Sequence, residues 1–116
     1  MKRVFLGLLM LALTSTPLAL SNDEKVKQVL FAMIAAKCAV EQGMLLPEGG
    51  ANFFAYQKAL AVKRGEITIE EINQITNETS FQILLDDKIR ALGGCREAAH
   101  SAKPLVLKYI RWLDRD

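Results

Sequence analysis

Apolar residues recur along this chain at helical spacing, and glycines cut the pattern into segments. Val26, Leu30, Ile34 and Cys38 stand four apart, with Val29, Met33 and Val40 widening the stripe and Lys25, Lys27, Lys37 and Glu41 on the wetter side. The pattern predicts a first helix capped by Asn22 or Asp23, running to about Gln42 and stopped by Gly43. Pro47 and Gly49-Gly50 mark Gly43 to Ala51 as a loop. Asn52 then reads as the cap of a second helix. Its apolar edge is Phe53, Tyr56 and Leu60, its close-approach positions are Ala55 and Ala59, and Lys63, Arg64 and Gly65 end it.

Thr68-Ile69-Glu70-Glu71 matches a capping box, and Ile69, Ile72 and Ile75 give the helix behind it an apolar face. Thr76 to Ser80 is poor helix sequence and predicts a break. A restart at Thr79 or Ser80 carries Phe81, Leu84, Leu85, Ile89 and Leu92 on one face as far as Gly93-Gly94. Cys95 follows at once, and the last helix reaches about Leu113 with Val106, Tyr109, Ile110 and Leu113 as its buried stripe. Pro104 fits the first turn if that helix begins at Ser101 or Ala102, and otherwise kinks it. No alternating segment exceeds the few residues around Ile67, and there is no internal repeat. The expected fold is all-α: a small bundle of four to five helices in a single domain, residues 22–116.

Residues 1–21 read differently, as a secretory signal peptide. Lys2 and Arg3 precede an apolar run, Val4 to Leu13, that is too short to span a bilayer and is broken by Thr14 to Pro17. Ala19 and Ser21 are small residues two apart, which places cleavage after Ser21. The rival reading, an uncleaved anchor extended through Leu18 and Leu20, runs against Pro17 and the short apolar core. The expected location is the periplasm or the exterior.

Removing that segment alters the charge. The full chain has 15 Lys+Arg and 13 Asp+Glu. Without Lys2 and Arg3 the two signs balance, so the basic pI is no sign of nucleic-acid binding. The charges are nevertheless segregated. Glu66, Glu70, Glu71, Glu78, Asp86 and Asp87 fall in a stretch with no base, whereas Lys88, Arg90, Arg96, Lys103, Lys108, Arg111 and Arg115 dominate the rest. Two readings follow: an acidic element packed beside a basic one, or a dipolar surface that steers a charged partner.

The two cysteines, Cys38 and Cys95, are expected to pair in an oxidising compartment, closing a loop of nearly sixty residues. Their distance in sequence and the lack of a C-x-x-C arrangement favour a structural bridge over a redox pair. His100 is the only histidine. Glu97 three residues before it supplies half of a di-iron Glu-x-x-His signature, which needs a second copy and further glutamates, so no metal or other cofactor is expected. The glycine pairs lack a phosphate-binding frame, and Asn77-Glu78-Thr79 matches a glycosylation sequon of the kind that arises by chance.

Three stretches are candidates for contact with a partner. Met44, Leu45 and Leu46 are apolar residues in a loop, suited either to plugging the core or to forming a patch. Phe53-Phe54-Ala55-Tyr56 carries three aromatics, of which Phe54 is placed to turn from the core. Trp112 lies beside Lys108, Arg111 and Arg115 on the last helix, a combination that suits an acidic partner or, less well given its short length, a membrane surface.

Ala36 to Gly43 (Ala-Lys-Cys-Ala-Val-Glu-Gln-Gly) and Leu92 to Cys95 (Leu-Gly-Gly-Cys), behind a signal peptide, resemble small exported helical proteins of cyanobacteria, an uncharacterised group. In architecture alone the chain is similar to periplasmic acid-stress chaperones of the HdeA type and to Tai-type immunity proteins, which are also small, exported and helical with a disulfide joining distant helices. The expectation is a non-enzymatic protein-interaction module whose partner is another protein or a second copy. The alternatives are a small enzyme using His100 with Glu97 or Asp86–Asp87, and a carrier of a small apolar ligand. The carrier would require an enclosed cavity of about 300–1,000 Å³.

Overall fold

A computed structural model describes residues 21–115. Five helices follow one another: α1 (Asn22–Glu41), α2 (Pro47–Lys63), α3 (Ile69–Asn77), α4 (Thr79–Ala91) and α5 (Cys95–Leu113). There is no strand among the described residues, so the fold is the expected all-α bundle. The signal-peptide segment lies outside the described residues apart from Ser21.

The first helix is the axis of the bundle and touches all four others, α5 and α2 most extensively. Its apolar stripe is wider than i,i+4 spacing suggests. Besides Val29, Leu30, Ile34 and Cys38, the small residues Ala35, Ala36 and Ala39 are buried. A helix covered on several sides must be apolar over most of its girth, and alanines let two neighbours approach it at once. On one side the core comprises Val29, Leu30, Ile34, Ile72, Phe81, Leu85 and Ala98; on the other, Ala35, Ala36, Ala39, Phe53, Val106 and Tyr109.

Its cap is Ser21, whose hydroxyl accepts the N–H of Glu24 at 3.3 Å, rather than Asn22 or Asp23. The end is as expected, with Gly43 at φ 77° supplying the left-handed residue that closes the helix.

Helix α2 starts at Pro47, five residues before the expected Asn52. Proline suits the first helical position because its φ is preset and its missing N–H would have had no partner. Gly49 and Gly50 therefore lie inside a helix. A Cβ on Gly50 would stand 2.3 Å from Val40 Cγ2 and 3.4 Å from the Ala36 carbonyl, so this glycine is where α2 crosses α1. Ala55 and Ala59 are exposed and do not make the close approach expected of them.

The capping box forms as expected. Thr68 Oγ1 accepts the Glu71 N–H at 3.1 Å, and the Glu71 carboxylate accepts the Thr68 N–H at 2.9 Å. The break between the middle helices is a single extended residue, Glu78. The last helix begins at Cys95 and runs through Pro104. The backbone bond that Pro104 cannot make would go to the carbonyl of His100. Both residues are exposed, so water can take its place, and the chain has no need to wait until Ser101 to start the helix.

Cys38 and Cys95 are disulfide-bonded with Cα atoms 4.9 Å apart, 57 positions apart in sequence. Cys38 is fully buried. The bridge ties the last turn of the central helix to the first residue of α5, and closing a loop of this length stabilises the fold by up to about 4 kcal/mol through the unfolded chain's lost entropy.

Candidate functional site

The expected contact residues separate into two groups. Met44 and Leu45 are half-buried and pack on the core, Met44 touching both of its sides. They plug the α1–α2 corner, while Leu46, the α2 cap residue, is 76% exposed. Phe54 is also half-buried. It lies in a shallow cleft of about 380 Å³ with Met33, Ala36, Val40 and Gly50, and Lys58 Nζ sits 4.7 Å from its ring centre.

Trp112 is in a different place, on the edge between α2 and α5. A chain of aromatic rings leads to it from the core. Phe53 and Tyr109 meet edge to face at 5.3 Å, Tyr56 lies 5.1 Å from Tyr109, and Trp112 lies 4.6 Å from Tyr56 and 6.1 Å from Tyr109. Phe53 is fully buried, Tyr56 half-buried and Trp112 43% exposed, so the stack carries buried order out to the surface. Beside it runs an open groove of about 580 Å³ lined by Ala55, Ala59, Leu60, Lys63 and Leu113 together with Tyr56 and Trp112. Trp112, Ala55 and Tyr56 of this groove fall in the stretches that the sequence offers for contact; Asn52, Ala59, Leu60, Lys63 and Leu113 do not. The signal for the others is the recurrence of Asn52, Tyr56, Ala59 and Lys63 every three or four positions, a second stripe on α2 beside the buried one.

Electrostatics sharpen the same edge. The acids of α3 and α4 do not pair with α5. Glu71 bonds Lys25 of α1, Asp86 lies 3.6 Å from Lys37 of α1, Asp87 pairs with Arg90 on its own helix, and Glu66 pairs with Arg64. Arg96, Lys103, Lys108, Arg111 and Arg115 are exposed, and none is in an ion pair among the described residues. The acidic element therefore makes no ion pair with α5 among the described residues: Glu71 and Asp86 reach bases of α1, the helix α3 and α4 pack against, and Asp87 is held by Arg90 of its own helix.

The Glu71 carboxyl is held below its ordinary value of 4.5. The Lys25 ammonium bonded to it is the main cause, followed by the Thr68 N–H.

His100 lies on the exposed side of α5 with Glu97, Arg96 and Lys103 around an open depression of about 440 Å³. Asp86 and Asp87 are engaged elsewhere and do not converge on it. Among the described residues no group of three or more His, Cys, Asp or Glu side chains is arranged to hold a metal ion. The cleft between α1, α3 and α4, about 320 Å³ and lined by Val26, Ile75, Phe81 and Leu84, opens to solvent rather than enclosing a ligand. None of the described helices is long and apolar enough to cross a membrane.

Compared with known proteins, the chain matches no family model, and no curated protein or solved structure is similar to it at a significant level.

Proposed function

We propose that this chain is an exported, non-enzymatic protein-interaction module that uses the α2–α5 edge to hold a protein partner. Trp112 carries the reading. Its ring is steadied by Tyr56 and Tyr109 while 43% of the residue stays in water. A large amphipathic side chain already fixed in place loses little freedom on binding, so most of its contact area contributes to affinity. Tryptophan, tyrosine and arginine are also the residues that dominate interface energetics. Lys108 and Arg111, in no ion pair among the described residues, stand one turn and one residue before it and favour a partner with acidic groups beside an apolar anchor.

Export is supported by the N-terminal pattern and by the bridge, since structural disulfides persist in oxidising compartments. The test is affinity capture from an extracytoplasmic extract with the wild-type protein and with Trp112→Ala. A protein retained by the first and lost by the second supports the reading; equal retention, or no partner and no self-association, overturns it.

A further inference from the structure

We infer that the α2–α5 edge takes an acidic amphipathic helix of its protein partner, which lies along the groove as a third helix against these two. The inference rests on the proposed function for the surface and adds the form and charge of what the surface holds. Charge makes the first half of the argument. From Asn52 to Lys63 on α2 and from Ser101 to Leu113 on α5 there are five bases, Lys58, Lys63, Lys103, Lys108 and Arg111, and no acid. None of the five is in an ion pair among the described residues. Lys63 lines the groove itself, and Lys108 and Arg111 lie one turn and one residue before Trp112. The first carboxylate beyond Leu113 is Asp114, the C-cap residue of α5. A segment with carboxylates on its flanks therefore meets bases on both helices.

The lining decides the form. Most of it is apolar: Ala55, Ala59, Leu60, Leu113 and the rings of Tyr56 and Trp112. An extended peptide would set its backbone N–H and C=O groups against these side chains with few partners, and there is no sheet edge among the described residues to supply them. A helix bonds its own backbone and presents only side chains. Ala55 and Ala59, four apart and exposed, leave room for such a helix to approach to the separation of about 8–10 Å between packed helix axes. Along α2 the groove runs from Asn52 to Lys63, about 16 Å at about 1.5 Å per residue, which is the length of about three helical turns.

Phage-displayed random peptides test this, each of about sixteen residues, long enough for about four helical turns, and lacking tryptophan. They are panned against the protein expressed from its full sequence and purified with its disulfide formed. At about 10 mM salt, where charges act over about 30 Å, the retained sequences should carry apolar residues three and four apart with Asp and Glu between them. The best of them, synthesised, should gain helix on binding and shift the emission of Trp112, the only tryptophan in the chain. Lys63→Glu with Lys108→Glu, both at exposed positions, should weaken it by about tenfold or more while circular dichroism shows the variant folded. That variant should instead bind the peptide remade with lysines for its acids. Retained sequences without helical spacing or without an excess of acids, no retained sequence, or equal binding by the charge-reversed variant overturns the inference. So does another occupant: self-association that Trp112→Ala abolishes gives the edge to a second copy, and phosphatidylglycerol vesicles that shift Trp112 emission where the peptides do not give it to a lipid surface. If Trp112→Ala still loses a captured protein while no acidic helix binds, the proposed function stands without the inference.

Discussion

The carboxylate of Glu71 is held by the ammonium of Lys25 while it closes the capping box of its own helix with Thr68. One side chain thus starts α3 and fastens it to α1. The bond keeps Glu71 ionised below its ordinary value of 4.5. A carboxylate depressed in the folded state adds stability that is present above its unfolded pKa and lost as the pH falls through its folded one. Melting temperature should therefore drop as the pH is lowered below about 4.5, the carboxylate range. Lys25→Met should flatten that part of the curve by returning Glu71 toward its unfolded value. Parallel curves for the two proteins would show that the pair does not contribute.

Gly50→Ala should destabilise the protein, although alanine is the better helix former by about 1 kcal/mol. The added methyl would meet Val40 Cγ2 at 2.3 Å, and overpacking of this kind costs about 1–3 kcal/mol. Val40→Ala in the same chain removes the clashing atom and should recover much of the loss. Thermal melts of the two single variants and the double variant give the coupling directly.

Reducing the disulfide should lower stability by up to about 4 kcal/mol, a large share for a domain of this size. Calorimetry with and without reductant measures it. Mass spectrometry of the exported protein should show the oxidised form, lighter than the reduced chain by the two thiol hydrogens. Free thiols in that sample would remove the bridge from the account.

The same spectrum should place the amino terminus at Asn22. Cleavage after Ser21 removes the hydroxyl that caps α1, a loss of about 1 kcal/mol at the start of the helix. The first turn of the exported protein should then exchange its amide hydrogens faster than the turns around Ile34. A spectrum of the uncleaved chain would contradict the export reading.

Much of the fold was legible because its signals are local. Thr68 and Glu71 cap a helix wherever they fall at this spacing, and Gly43 and Gly93-Gly94 stop helices by their left-handed backbone, as the positive φ angles show. The misplaced start of α2 has a different origin. Gly49 and Gly50 resemble loop glycines until Val40 is known to lie against one of them, and that contact depends on how two helices cross. The small-residue face of α1 was missed for a related reason: Ala35, Ala36 and Ala39 carry little hydrophobic signal, and only the presence of α2 and α5 makes them core.

The contact surface was legible in part. Trp112 with its neighbouring bases was visible in sequence, whereas Tyr56, Leu60 and Leu113 join it only through the packing of α2 on α5. Conversely, the segregation of acids and bases suggested an internal pairing that three-dimensional placement denies to α5. Charge along a chain reveals composition, and the helix arrangement decides which charges meet.

If Trp112 anchors a partner, Trp112→Ala should weaken binding by at least about 2 kcal/mol, roughly 30-fold in Kd, while circular dichroism shows the variant still folded at the assay temperature, since the ring lies at the edge of the core. Titration calorimetry against the captured protein, or dilution calorimetry if the partner is a second copy, measures the loss.

The most direct test of the interaction surface is photo-crosslinking in living cells, with a photoreactive residue in place of Leu113 beside the groove or, as a control, in place of exposed Asn73 on α3. A discrete crosslinked protein, whether a second copy or another species, from position 113 and none from position 73 is the predicted result. No adduct from position 113, or the same adducts from both, would contradict a partner held at the α2–α5 edge.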